Sequence, residues 1–139
     1  MPKPPLPAGL DRFLSEPNPA VIASVRADGS PHSAATWYVW DDGGVLVNMD
    51  ESRKRLQYLR SDPRVSITVL DKDVWYRQVT LQCRVASIDP DPDLADIDRI
   101  SRHYTGNDYA DRKRSSVSAW LEVESWYAWN SGRFWDGSE

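Results

Sequence analysis

The chain has 139 residues, 40% hydrophobic and 27% charged, the proportions of a folded globular protein rather than of a disordered or collagen-like one. A net charge of −4 argues against nonspecific nucleic-acid binding, which depends on phosphate neutralisation, and a single cysteine, Cys83, excludes an intrachain disulfide. His32 and His103 beside that cysteine give no zinc-ligand spacing, and no apolar run approaches the ~20 residues of a bilayer span, so the expectation is one domain over residues 1–139 with no metal, membrane or nucleic-acid partner.

The opening Met1-Pro2-Lys3-Pro4-Pro5 has no leader-like apolar stretch, in keeping with a soluble, cytoplasmic protein. Leu10, Phe13 and Leu14 recur at helical spacing, which predicts a short helix within residues 6–16, broken at Glu16-Pro17. Five runs rich in β-branched and aromatic residues follow: 20–26, 32–40, 45–49, 65–70 and a long 74–88. Asp28-Gly29 and Asp41-Asp42-Gly43-Gly44 supply turns between the first three, predicting an antiparallel meander. Residues 52–61 read as a helix with Leu56 and Leu59 inward, capped by Asp50 or Ser52 and ended at Asp62-Pro63. On the long strand Val79, Leu81, Cys83 and Val85 share the inward face, opposite Thr80, Gln82 and Arg84. Asp91-Pro92 is read as an N-cap and first helical position, with Leu94, Ile97 and Ile100 as the buried stripe of a helix reaching about Tyr104. Residues 105–114 are polar and loop-like. Val117, Ala119, Leu121 and Val123 alternate into a sixth strand, and residues 126–129 form a seventh or extend it. The result is a mainly β fold of six or seven antiparallel strands, a small barrel that removes exposed edges, with a sandwich as the alternative.

The most informative segment is the basic helix. Arg53, Lys54, Arg55, Arg60 and Arg64 stand against Glu51 and Asp62, a local +3 inside a chain of −4. Three consecutive bases at a helix start oppose the macrodipole, so helix stability does not account for them. Either they form a solvated basic turn, or they join the free N–H groups of the helix start in holding an anion. Trp75-Tyr76-Arg77-Gln78-Val79 pairs flat apolar surface with hydrogen-bonding groups, as a planar heterocycle requires, or else caps the core. Four of the seven tryptophans lie in residues 120–135, more than one small core needs, which suggests a pocket lining or a subunit interface beside core packing. Cys83 reads as a small core residue.

The order of elements, with Val25-Arg26-Ala27-Asp28-Gly29-Ser30-Pro31-His32, the basic helix ending Asp62-Pro63-Arg64-Val65-Ser66, and Trp75-Tyr76-Arg77-Gln78-Val79, resembles the flavin/deazaflavin oxidoreductase superfamily, the split β-barrels that include pyridoxamine 5′-phosphate oxidase. The segment containing Ile100-Ser101-Arg102-His103-Tyr104-Thr105-Gly106 looks like the branch using the deazaflavin coenzyme F420. The resemblance implies that Arg53 and Arg55, with Ser52 and Lys54 beside them, hold the cofactor phosphate. It sets Thr36, Trp37 and Tyr38 on one strand by the ring and Val47, Asn48 and Met49 on the next. Gln78 matches the glutamine that meets the flavin in the oxidase branch, whereas Cys83 replaces that branch's glycine. What it implies is a homodimer with the cofactor at the interface, transferring hydride from reduced F420 to an unsaturated organic substrate, with solvent, His32 or Tyr38 supplying the proton. The rivals are an FMN-dependent oxidase or reductase and a non-catalytic flavin or deazaflavin carrier.

Overall fold

The computed structural model describes residues 1–138, which form three short helices and one antiparallel sheet. Helix α1 (Ala8–Leu14) buries Leu10, Phe13 and Leu14, the predicted stripe. Strands β1 (Ala20–Val25) and β2 (Pro31–Thr36) form a hairpin whose turn holds Gly29 at φ 86°, a conformation that glycine adopts without a Cβ penalty. The predicted 32–40 strand is broken at Trp37-Tyr38. Its second part is β3 (Val39–Asp41), which pairs with β4 (Gly44–Asp50) and not with β1. Helix α2 (Lys54–Ser61), β5 (Arg64–Leu70), β6 (Arg77–Pro90), α3 (Ala95–Thr105), β7 (Ser116–Asn130) and β8 (Arg133–Phe134) complete the chain.

The hydrogen-bonded path runs β2-β1-β5-β6-β7-β4-β3, with β8 on β7. Its two ends, β2 and β3, are separated in sequence only by Trp37 and Tyr38, a link that spans at most about 11 Å. The sheet must therefore curl until its edges meet. The chain crosses the seam, and no β2–β3 ladder closes it among the described residues, which makes the fold a split β-barrel.

Three local expectations are corrected. Trp75 and Tyr76 precede β6 in a turn that Arg77 N closes on Val74 O at 2.9 Å. Residues 126–129 extend the sixth run, one of the two readings of the sequence, into the continuous strand β7. Neither Asp50 nor Ser52 caps α2, because the Asp50 carboxylate accepts instead from Ser52 N and Oγ at 2.9 and 2.7 Å. The helix after Asp91-Pro92 starts at Ala95, but Asp91 still serves its first turn by accepting from Asp96 N and Ile97 N at 3.0 and 3.1 Å.

The barrel interior is filled by Ile22, Ile67, Leu81 and Leu121, with α1 and the Leu56–Leu59 face of α2 packed against it. Strand β4 is buried on both faces: Val45 and Val47 point into the barrel, while Leu46 lies beneath α3 with Ile100. Helix α3 thereby covers the outer face on which Asn48 sits. The C-terminal segment returns to α1, where a Cβ on Gly9 would stand 2.6 Å from the Gly137 carbonyl carbon. Gly9→Ala is expected to cost about 1–3 kcal/mol through this overpacking, read as a lowered Tm and altered Trp135 fluorescence. An unchanged Tm would mean that the segment does not dock there.

Candidate functional site

A cleft of about 930 Å³ opens between β2, the outer end of β4, the start of α2, and α3. Its size suits a cofactor-sized ligand. One end is cationic and carries Arg53, Lys54, Arg55 and Arg114; the other is apolar, with Pro17, Ile100, Trp37 and Tyr104.

At the cationic end, α2 begins after Arg53 with no side-chain cap, which leaves first-turn amides for a ligand. None of these four bases forms a salt bridge among the described residues, in contrast to Arg60 with Glu51 and Arg64 with Asp62 on the same segment. Arg55 is half-buried, and its Nε has no hydrogen-bond partner. Burial, then the neighbouring charges of Arg53 and Arg114, push its pKa below the usual guanidinium value. An uncompensated, partly desolvated cation of this kind is costly until an anion arrives.

At the other end the Trp37 and Tyr104 rings stack, with centroids 5.1 Å apart and planes 8° from parallel. Tyr104 is fixed by donating its hydroxyl to Asn18 O at 2.7 Å and accepting from Tyr38 N at 3.3 Å. Trp37 remains partly exposed and presents a flat apolar surface. His32 also borders the cleft, edge-on to Tyr58 at 5.4 Å. Its Nδ1 is buried and unpartnered, as is the hydroxyl of Ser24, its cross-strand neighbour.

Of the residues singled out in the sequence, Thr36, Trp37, Asn48 and Met49 border this cleft, together with Ser52, Arg53, Lys54 and Arg55. Tyr38, Val47 and Gln78 do not. Tyr38 is fully buried and donates its hydroxyl to Leu14 O at 2.8 Å, and burial raises its pKa. Its hydroxyl is turned into the core and away from the cleft. Burial pushes the Tyr104 pKa up to about 12, so its hydroxyl stays protonated at neutral pH and remains the donor to Asn18 O. Val47 faces the barrel interior. Gln78 pairs with Trp129 and Leu70 at the opposite end of β6. Cys83 is in the core, its thiol pushed up to about 12 by burial.

The sequence reading missed Arg114, Tyr109 and the ring contact of Tyr104. Arg114 sits in a polar loop with no motif of its own, and only the β4–β7 register, Asp50 opposite Ser116, brings it to the cleft. That loop is tied to α3 by Asp98, which accepts from Arg112 Nη1 and Nη2 at 2.7 and 3.0 Å and from Tyr109 N at 2.9 Å. The Arg112 hydrogen bonds hold the Asp98 pKa at about 2. A depressed carboxylate stabilises the fold above its unfolded pKa and loses that contribution as pH falls through the folded value. Acid titration should therefore loosen residues 105–114 between about pH 4 and pH 2, and Asp98→Asn should remove this part of the pH dependence. Amide exchange at Tyr109 is the readout; identical profiles for both proteins would refute the assignment.

The fold is a split barrel whose cleft carries an uncapped basic helix start and a stacked pair of aromatic rings. Residues 6–130 match the family described as pyridoxamine 5′-phosphate oxidase, and the chain belongs to that family of flavin and deazaflavin oxidoreductases. Among solved structures it is similar to an F420 reductase, at 27% identity and a TM-score of 0.79, over 87% of this chain and 98% of the other. It is similar in fold to a conserved hypothetical protein from Mycobacterium tuberculosis, at 23% identity and a TM-score of 0.73, over 92% and 86% of the two chains. A FAD-binding protein from Mesorhizobium loti shares the fold at 18% identity and a TM-score of 0.60, over 83% and 87%. No curated protein matches the chain.

Proposed function

We propose that this protein binds coenzyme F420 in the cleft and reduces an unsaturated organic substrate with it. The observation that carries the reading is the set of bases at the start of α2, without acid partners and with Arg55 Nε orphaned, facing the Trp37–Tyr104 stack across one cleft. This donor set suits a planar ring joined to a phosphate. The similarity to the F420 reductase supports a deazaflavin over FMN.

When bound, the reduced deazaflavin supplies the hydride chemistry. Arg53, Lys54 and Arg55, with the free amides of α2, would hold the phosphate through charge-assisted hydrogen bonds. Trp37, kept flat by Tyr104, would orient the ring and exclude water from one of its faces. Tyr38 is locked to Leu14 O, which leaves solvent or His32 to return a proton.

The same reading makes the protein a homodimer. Trp75, Tyr76, Trp129 and Phe134 are exposed together around the β6–β7–β8 end, a surface rich in the residues that interfaces favour. Gln78 lies at that end and would serve a neighbouring subunit's cleft instead of its own. Sedimentation at micromolar concentration should show a dimer; a monomer in the presence of cofactor would contradict it.

Titration with F420, FMN and FAD, followed by tryptophan quenching, tests the cofactor assignment. F420 should bind most tightly. Equal or tighter FMN binding would overturn the assignment.

A further inference from the structure

We propose that Arg114 is a further arm of the anion site, oriented by Asn48, whose amide is in turn set by Asp91; this rests on the cofactor reading above. Arg114 Nε and Nη2 donate to Asn48 Oδ1 at 3.3 and 3.2 Å, and its guanidinium lies over the Tyr109 ring, 4.9 Å from the centroid. Asn48 is buried, and its amide has one possible orientation. Its Nδ2 donates to Asp91 Oδ2 at 3.3 Å and to Ser118 Oγ at 3.1 Å, while its Oδ1 also accepts from Ser116 Oγ at 2.9 Å. A guanidinium has donors only, so the amide oxygen must face Arg114, which turns the amide N–H₂ toward Asp91 and Ser118.

Arg112, two residues earlier, shows the contrast. It is bidentate on the Asp98 carboxylate and its charge is neutralised. Arg114 receives a neutral amide oxygen, which fixes the guanidinium and leaves its charge intact. The Asp50 carboxylate feels that charge, but its oxygens accept from Ser52 N, Ser52 Oγ and Ser115 N, and it forms no hydrogen bond or ion pair with Arg114 among the described residues. Arg114 and Arg55 line one cleft, and the proximity of like charges depresses Arg55 further. A polar network that orients a cation with no salt bridge of its own among the described residues, beside other cations, fits a site that awaits an anion.

The test uses full-length protein with inorganic phosphate, FMN, F420 and a deazaflavin lacking the phosphate as probes, measured by calorimetry. Arg114→Gln should weaken the three phosphate-bearing probes roughly tenfold or more and flatten the salt dependence of their Kd. It should leave the phosphate-free deazaflavin unchanged. Asn48→Leu, or the milder Asn48→Ser if the first does not fold, should cause a comparable loss that does not add to that of Arg114→Gln, because Asn48 acts through Arg114. Wild-type affinity for phosphate-bearing probes in Arg114→Gln, or a wild type that binds none of them, would overturn the proposal. Additive losses would overturn the role of Asn48. Binding of phosphate and FMN without F420 would instead overturn the deazaflavin reading, and the phosphate arm would still decide Arg114.

Discussion

The Arg53→Ala/Arg55→Ala double variant is expected to lose cofactor affinity at least about a hundredfold while its apoprotein melts no lower than wild type. A charge-assisted hydrogen bond is worth roughly 1.5–3 kcal/mol, or about tenfold to a hundredfold in Kd, so two such contacts to one phosphate account for a loss of that size. Stability moves the other way. Arg55 holds a half-buried charge whose Nε is unpartnered, beside Arg53 and Arg114, so its removal relieves desolvation and like-charge repulsion. Leu56 and Leu59, which anchor α2, are untouched. Thermal melting and F420 titration of the same preparations check both halves. A variant that unfolds, or that binds like wild type, would return α2 to a basic surface helix.

Tyr38→Ala is expected to cost about 3–5 kcal/mol of folding stability, the range for emptying a buried aromatic site. Tyr38 is fully buried and stands at the two-residue crossing of the barrel seam, with its hydroxyl on Leu14 O, so it ties α1 to the sheet edges. Tyr38→Phe removes only that hydrogen bond, should cost about 1 kcal/mol, and should leave cofactor affinity unchanged. Denaturant unfolding and titration of Tyr38→Phe are the measurements. A large affinity loss at preserved stability would put Tyr38 at the ligand after all.

These residues show how far the sequence could be read. The β1–β2 hairpin was legible because Asp28-Gly29 permits its positive φ, and the inward face of β6 because Val79, Leu81 and Cys83 keep strict alternation. The break at Trp37-Tyr38 was not, since both halves of the run have strand composition and only the partner changes. The continuity of β7 stayed open between two readings because of a bulge at Glu124. Buried positions there shift from Leu121 and Val123 to Trp126 and Ala128, and the change of parity reads as a strand end. At the site, the local charge excess announced the start of α2. Naming whole strands beside the ring included both faces, so Val47, turned inward, was drawn in with Asn48. Arg114 reaches Asn48 across 66 positions of sequence, a proximity that no local pattern encodes.

A crystal structure of the protein grown with F420 would locate the phosphate and the ring at once. The expected result places the cofactor phosphate within hydrogen-bonding distance of the Arg55 guanidinium and the first-turn amides of α2, with the ring on the Trp37 side of the same cleft. Phosphate bound away from Arg53 and Arg55, or a ring outside the cleft that Trp37 and Tyr104 wall, would contradict it.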